Sequence, residues 1–151
     1  MKQTDYDTIF ASSSQFKSAI KIIRVTGKKA KNIPKIFNFK KPEPRTFALN
    51  KLVYKGKIID SAPVVWLPKN KSFTGEDTYE IYIHGSIVIE RLIYKALSSY
   101  KNFRLAEPGE FTKRATINGN VDLVQAESIN DIINSQTEKQ LTIAQSQLDG
   151  S

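Results

Sequence analysis

Hydrophobic and polar side chains alternate with a period of two in several short runs of this chain, which is the pattern of strands that bury one face. The run Ile20–Val25 is predicted to be a strand for a different reason, because it is rich in β-branched residues. In a strand, Ile20, Ile22 and Arg24 share one face, so Arg24 must pair with an anion or point outwards at the strand end.

The same alternation over Tyr79–His84 predicts a second strand with two chemically different faces. One face is hydrophobic, and the other presents Glu80, Tyr82 and His84, three hydrogen-bonding side chains in a row. His84 is the single histidine of the chain. From the pattern alone it is either a hydrogen-bonded strand residue or part of a binding site.

Further strands are predicted at Thr8–Ala11, Arg45–Tyr54, Ile58–Leu67 and Phe103–Ala106. The link Lys55-Gly56-Lys57 is short and contains glycine, which predicts a hairpin between the second and third of these. Strands and helices mix without strict alternation. The predicted fold class is therefore α+β, with a mixed β-sheet and packed helices rather than a doubly wound sheet.

Helical spacing of hydrophobic positions predicts a long helix after the Tyr79–His84 strand. Ser86 can cap this helix, which begins at Ile87 and buries a wide stripe. The residues of the stripe are Val88, Ile89, Leu92, Ile93, Ala96 and Leu97. Residues 28–38 also have helical spacing, with Pro34 either interrupting the helix or lying in its first turn.

Three more helix starts are indicated towards the C-terminus. Pro108 suits the first turn of one helix. Asp122 with Gln125 resembles a capping box, and Ser135 with Glu138 resembles another, so the last helix is expected to restart near residue 136.

The hydrophobic pattern of the last expected helix indicates how the chain is organised. Its hydrophobic positions Leu141, Ala144 and Leu148 have nothing after them to bury them. We therefore expect one domain at residues 1–119, and C-terminal helices at residues 120–151 that begin a helical domain whose remainder is absent.

Composition narrows the possible functions. The 151 residues carry a formal net charge of +8, and the densest group of lysines lies between residues 28 and 41. Both a nucleic-acid-binding face and a lysine-rich solvated surface are open interpretations. The chain has no cysteine and no long apolar run, so neither a disulfide framework nor a membrane span is expected, and a cytoplasmic setting fits.

Nucleotide hydrolysis by this chain is not expected. A phosphate-binding P-loop needs a second glycine five residues before Gly27-Lys28, and Ile22 occupies that position. A zinc site or a histidine-based triad would have to rely on His84 alone.

Three segments stand out, the first because it has an arginine in an otherwise apolar strand, and the pattern of each fits a turn plus a helix cap as well as a functional site. They are Ile23–Gly27, Ser72–Asp77 and Arg104–Ala115. Together with flanking residues, they make the chain resemble the N-terminal domain of the tRNA-modification GTPases of the TrmE/MnmE family over nearly its whole length. The matching segments, in order, are Asp7–Ile9, Ile23–Gly27, Phe73–Asp77, Glu80, His84-Gly85, Ala106–Thr112, Arg114-Ala115, Asn118–Asn120 and Val121–Glu127.

The resemblance implies a function for the region 1–119. It would be a tetrahydrofolate-binding and homodimerisation domain, similar in fold to those of folate-dependent one-carbon enzymes. The folate would be a formyl or methylene form. In the family, the full-length protein binds GTP, magnesium and potassium in a separate GTPase domain, which this chain lacks, so the chain alone is expected to be inactive.

The resemblance also implies partners and a reaction. With a flavin-containing partner protein of the MnmG/GidA type, the family installs a carboxymethylaminomethyl-type group on carbon 5 of the wobble uridine of tRNA. Whether tRNA contacts the N-terminal domain itself is open.

Carried over by position, the family's folate contacts are Arg24, Glu80 and Asn120. A carboxylate such as Glu80 suits the N–H edge of a reduced pterin, and arginine suits carboxylates of the folate tail. Tyr82 and His84 share the face of Glu80 and are candidates to line the pocket.

Two departures from the family pattern affect the expected contacts. Asn120 stands where the family usually has lysine, which removes a charge-assisted contact worth about 1–3 kcal/mol. The segment Ser12–Ser18 replaces a proline- and glycine-rich loop that carries arginine, and Lys17 is the candidate to supply that charge.

Three other functions are compatible with these features. One is a basic tRNA-binding module, and another is a dimerisation scaffold with a weakened folate site. The third, an aminomethyltransferase-like enzyme, is disfavoured because such chains are much longer and carry different motifs.

Overall fold

The strands of the described residues form one sheet. The computed structural model describes residues 6–13, 18–134 and 137–149. Within them, six strands are joined in the order β3-β4-β5-β2-β1-β6. They are β1 (Thr8–Ser12), β2 (Ile20–Thr26), β3 (Ala48–Tyr54), β4 (Lys57–Leu67), β5 (Thr78–His84) and β6 (Phe103–Leu105). β1 and β6 run parallel, and the other neighbouring strands run antiparallel. The predicted mixed sheet and α+β class are confirmed.

The helices of the described residues are mostly short. They are α1 (Ile33–Ile36), α2 (Ile87–Ser98), α3 (Glu110–Ile117), α4 (Leu123–Asn134) and α5 (Glu138–Leu148), with 3-10 turns at Ala30–Asn32 and Lys69–Lys71. Pro34 lies in the first turn of α1, where its missing N–H breaks no helical hydrogen bond. None of the helices in this part of the chain is long and apolar enough to cross a membrane.

The predicted hairpin connects β3 and β4. Lys55 and Gly56 have φ angles of 51° and 76°, which are the left-handed conformations of a tight type I′ turn. The pairing register shifts between Leu52 and Val53. The first predicted strand residue, Arg45, instead lies in a turn with φ 59°, so β3 begins at Ala48.

Strand alternation divides the sheet into a core face and an open face, as predicted. Ile23, Val25, Tyr79, Ile81 and Ile83 are fully buried on the core face. They form one hydrophobic cluster with residues of α1, α2 and β4. The alternate side chains of β2 and β5 therefore lie on the other face.

The stripe predicted on α2 is narrower than expected. Ile93, Ala96 and Leu97 are fully buried, but Val88 and Leu92 are 59% and 42% exposed. The three buried residues follow the i, i+3, i+4 spacing of a single helix face. The prediction for Val88 and Leu92 was wrong because the sheet, through β4, β5 and β6, packs against only that face of α2.

Helix starts near the C-terminus agree in part with the prediction. The Asp122–Gln125 capping box is confirmed by reciprocal hydrogen bonds of 3.0 and 2.7 Å. Pro108, however, precedes its helix, because Gly109 adopts a left-handed conformation and α3 begins at Glu110. Thr137 caps α5, accepting from the N–H of Gln140 at 3.1 Å, and Ser135 of the predicted second capping box lies outside the described residues.

The chain divides into two compact units. One comprises Met1–Ser72 and Glu76–Glu107, and the other comprises Phe73–Gly75 and Pro108–Ser151. This division describes compactness, and the predicted domains at residues 1–119 and 120–151 stay predictions.

Candidate functional site: the open face of β2 and β5

Arg24 and Glu80 form an ion pair on the open face. The antiparallel register of β2 and β5 places the two residues directly opposite each other. Arg24 Nη2 lies 3.2 Å from Glu80 Oε2, with the two side chains 38% and 16% exposed. Opposite charges in this cross-strand position contribute about 0.2–1 kcal/mol, and exposure of the arginine favours the low end of that range.

Tyr82 continues the polar row along β5. Its hydroxyl donates a long hydrogen bond of 3.4 Å to the second oxygen of Glu80, Oε1. Burial is the largest cause that raises the pKa of Tyr82, and the charge of Glu80 and this hydrogen bond raise it further. The charge of Arg24 lowers that pKa. The phenol is therefore neutral at physiological pH and can donate to the carboxylate.

An aromatic pair adjoins this row. The ring of Phe47 meets the ring of Tyr82 edge to face, with 4.9 Å between centroids. Phe47 precedes β3 and is 63% exposed. No local pattern in the sequence pointed to Phe47, because it reaches Tyr82 through the tertiary fold.

His84 is held at the end of β5 by a carboxylate that the sequence analysis missed. Its Nδ1 lies 2.9 Å from Asp60 Oδ1, and its backbone N–H donates to Asp60 Oδ2 at 2.9 Å. The Asp60 side chain is 8% exposed and also accepts from the N–H of Ser61, whereas the His84 side chain is 69% exposed. The contact between Nδ1 and Asp60 Oδ1 orients the imidazole ring at the end of β5.

An aspartate within a largely hydrophobic predicted strand was the available signal for Asp60. The run Ile58–Leu67 is otherwise largely apolar, and a buried carboxylate needs donors. Its partners, however, depend on the pairing of β4 with β5.

Asn120 belongs to the second compact unit, where it contacts the loop Phe73–Gly75. Its Nδ2 donates to the carbonyl of Phe73 at 3.2 Å, and Asn118 Nδ2 donates to the carbonyl of Thr74 at 2.8 Å. Gly75 has φ +77°, and a Cβ there would lie 2.9 Å from Asn118 Cβ. Close packing and the positive φ explain the glycine of this motif. Lys17 lies outside the described residues.

The Ile23–Gly27 motif at the end of β2 contributes to packing. A Cβ on Gly27, whose φ is +137°, would lie 2.7 Å from the Cα of Thr8. The hydroxyls of Thr26 and Thr78 bond to each other at 2.8 Å, and both residues are buried. These contacts join β1, β2 and β5 at one end of the sheet and so support the register that pairs Arg24 with Glu80.

The third motif contains a buried charge pair in α3. Arg114 Nη2 lies 3.4 Å from Glu110 Oε2, and both side chains are less than a tenth exposed. Losing one partner of such a pair leaves a buried charge, so this pair explains part of the motif structurally. Among the residues that the structure describes, no cluster of three or more histidines, aspartates or glutamates could hold a metal ion.

Fold and site together define an α+β domain whose mixed sheet presents an ion pair and neighbouring aromatic side chains on an open face. Residues 8–120 match the family described as "GTP-binding protein TrmE N-terminus". This chain belongs to that family.

Relatives agree with this assignment. A tRNA modification GTPase MnmE from Anaplasma phagocytophilum (strain HZ) is 41% identical over 153 residues, covering 99% of this chain and 34% of the relative. The corresponding protein of Anaplasma marginale (strain St. Maries) is 44% identical over 95% of this chain and 33% of its own length. That of Pelagibacter ubique (strain HTCC1062) is 42% identical over 88% and 31%. The chain thus spans about a third of the length of these relatives.

Proposed function

We propose that this chain is a tetrahydrofolate-binding and homodimerisation domain of a cytoplasmic tRNA-modification GTPase. Together with the rest of that protein and a flavin-containing partner, it serves the carboxymethylaminomethyl-type modification of the wobble uridine at carbon 5. GTP, magnesium and potassium act in the GTPase region, outside this chain. The observation that carries the proposal is the direct pairing of Arg24 with Glu80 on the open sheet face.

The side chains around this pair suit a reduced folate. A carboxylate has about four lone-pair positions, and the hydrogen bonds found for Glu80 among the described residues come from Arg24 and Tyr82. Glu80 can therefore accept from the N–H groups of a pterin, and Arg24 suits a carboxylate of the folate tail. The rings of Tyr82 and Phe47 provide apolar surface beside these charges.

Asn120 and His84 are further proposed contacts. Asn120 occupies the family position of a lysine, and its amide can donate but carries no charge. His84 is oriented by Asp60, which leaves its exposed ring available to a ligand. Neither contact is needed for the central claim about Arg24 and Glu80.

Exposed apolar side chains on the open face support self-association. Ile20, Phe47 and Leu49 are 56%, 63% and 70% exposed. Ile20 shares a strand face with Arg24, and Leu49 pairs with Pro63 across β3 and β4. Grouped apolar surface of this kind is typical of an interface, and a second copy of the chain is the proposed occupant.

Calorimetric titration of the chain with 5-formyltetrahydrofolate tests the ligand proposal. Arg24→Ala and Glu80→Ala are each expected to weaken binding roughly 10- to 100-fold, because each removes a hydrogen bond to a charged group worth about 1.5–3 kcal/mol. Lys57→Ala is the matched control, since it removes an exposed cation from the β3–β4 hairpin. Absence of saturable binding by the wild-type chain would refute the folate proposal.

Sedimentation of the same proteins tests dimerisation and separates the alternatives. A concentration-dependent dimer that binds folate supports the proposal. A stable dimer without folate saturation would instead support a scaffold with a weakened site. In that case Asn120→Lys should restore measurable binding if the missing cation is the cause.

A further inference from the structure

Three loops bring lysines and tyrosines together at one end of the sheet. β1 pairs in parallel with β6, so Tyr6 before β1 lies at the same sheet end as Tyr100 and Lys101 before β6. β2 runs antiparallel to β1, which places Lys28 and Lys29, after β2, at this end as well. We call Tyr6, Lys28, Lys29, Tyr100 and Lys101 the basic–aromatic patch.

Direct contacts connect the members of this patch. Lys28 Nζ lies 5.4 Å from the centroid of the Tyr6 ring, a cation–π geometry. Lys29 Nζ donates to the carbonyl of Lys101 at 3.1 Å and to Asn102 Oδ1 at 3.3 Å. The loops are therefore joined to one another.

The tyrosine rings of the patch are accessible. Tyr6 is 55% exposed and Tyr100 is 42% exposed, although Tyr100 also packs against Phe103 with 6.1 Å between ring centroids. Large aromatic side chains with this much exposure contribute little to the core and present ring surface to a partner.

Positive charge in the patch is largely uncompensated. Asp7 is occupied by Arg104 at 3.2 Å, and Asp77 accepts from the backbone N–H of Lys69 at 3.0 Å. Within residues 6–13, 18–134 and 137–149, no carboxylate forms an ion pair with Lys28 or Lys101. The exposed Lys31 and Lys35 extend the positive surface from the turn and helix after Lys29.

We propose that the basic–aromatic patch binds RNA that contains unpaired nucleotides. Lysines neutralise phosphates, while accessible tyrosine rings stack on bases that are not paired. The combination matches single-stranded or looped RNA, because the lysines supply positive charge for phosphates and the exposed rings supply surface for stacking on bases, and a vesicle-binding assay separates this from a membrane surface. The inference deepens the proposed role in tRNA modification and rests on it for the RNA class, but it is independent of the folate site.

Fluorescence anisotropy with a labelled RNA stem-loop, titrated at several salt concentrations, tests this proposal. The double variant Lys28→Gln/Lys101→Gln is expected to reduce the slope of log Kd against log salt concentration by roughly 1.4. This is about 0.7 for each phosphate that the variant no longer neutralises. Tyr6→Ala and Tyr100→Ala are each expected to weaken binding roughly fivefold or more. A blunt-ended RNA duplex of equal length should bind more weakly than the stem-loop, and its affinity should not change on tyrosine substitution.

Lys51→Gln/Lys57→Gln is the matched control, because it removes the same charge from exposed positions on β3 and β4, at the other side of the sheet. Equal effects in the patch and control variants would overturn the proposal in favour of dispersed charge. Binding to anionic vesicles with no RNA binding would overturn it in favour of a membrane surface.

Folate titration of each patch variant makes the two proposals separable. Unchanged folate binding together with weakened RNA binding supports a separate RNA surface. Folate binding by a wild-type chain that has no affinity for the stem-loop refutes this inference and leaves the folate proposal standing. Thermal unfolding of Tyr100→Ala checks its fold, and the exposed lysine substitutions carry the test if that variant unfolds.

Discussion

Tyr79→Phe is expected to stabilise this protein, although Tyr79 lies in the middle of the core. The side chain is fully buried and stacks on Trp66 with 4.7 Å between ring centroids. Its hydroxyl has no hydrogen-bond partner within the described part of the chain. Phenylalanine keeps the ring contacts and removes the unpaired polar atom.

The magnitude follows from the desolvation of that hydroxyl. An unpaired buried hydroxyl costs about 1–3 kcal/mol by mutational comparison, so Tyr79→Phe should raise the free energy of unfolding by roughly 1 kcal/mol or more. For a chain of this length, each 1 kcal/mol corresponds to about 2–4 °C in Tm. Urea unfolding and calorimetry at pH 7 measure both quantities.

Alkaline pH should enlarge the difference. Burial, and secondarily the charge of Asp77, raises the pKa of Tyr79 far above its ordinary value of 10.0. Above pH 10 the unfolded chain releases this proton while the folded chain retains it, so wild-type stability falls as pH rises. Tyr79→Phe does not have this pH dependence, and its advantage should grow by about 1.4 kcal/mol at pH 11.

Tyr94→Phe is the matched control for the hydroxyl. Tyr94 is a partly buried tyrosine that packs against the same core, but its hydroxyl accepts from the backbone N–H of Ser12 at 2.8 Å. Its replacement should destabilise the protein by about 0.5–1.5 kcal/mol at pH 7. The reasoning is refuted if Tyr79→Phe destabilises the protein as much as Tyr94→Phe does.

Two further substitutions test the architecture around the site by urea unfolding. Gly85→Ala should cost about 3 kcal/mol or more, because the added Cβ would overlap the carbonyl oxygen of Ser18. Gly56→Ala, which meets no atom within 4 Å but has φ +76°, should cost roughly 1 kcal/mol, and equal costs would contradict the overlap. Asp60→Asn should lower the free energy of unfolding by about 1–3 kcal/mol, because the amide N–H₂ would face the N–H donors that the carboxylate now accepts from. The control Asp131→Asn, at an exposed position, should leave the free energy of unfolding nearly unchanged. A neutral Asp60→Asn would show that the carboxylate does not hold β5.

Local patterns were enough to predict the strands and the chemistry on them. Alternation in Tyr79–His84 placed Glu80 on a polar face, the isolated charge of Arg24 in an apolar strand predicted an anionic partner or an outward orientation, and Lys55-Gly56-Lys57 predicted the hairpin. Those features depend on residues close together in sequence. The sheet order could not be predicted in the same way, because it depends on which strands pair across long connections.

The failures have the same physical origin. The part of α2 that stays exposed, including Val88 and Leu92, depends on how much of the helix its neighbours cover. The role of Asp60 depends on the approach of β4 to β5, and that of Phe47 on a contact with Tyr82. Such contacts join residues that are distant in sequence, so no local motif predicts them.

The Arg24–Glu80 pair has a consequence for ligand binding. If the pair contributed several kcal/mol, a ligand that engaged both side chains would have to overcome that energy and would bind weakly. The arginine is 38% exposed, and exposed pairs are worth at most about 1 kcal/mol, so rearranging this one costs a ligand little. Between ligands, the pair holds both side chains on the open face through the register of β2 and β5. In the proposed site, its main contribution is therefore preorganisation of the two side chains rather than stability of the fold.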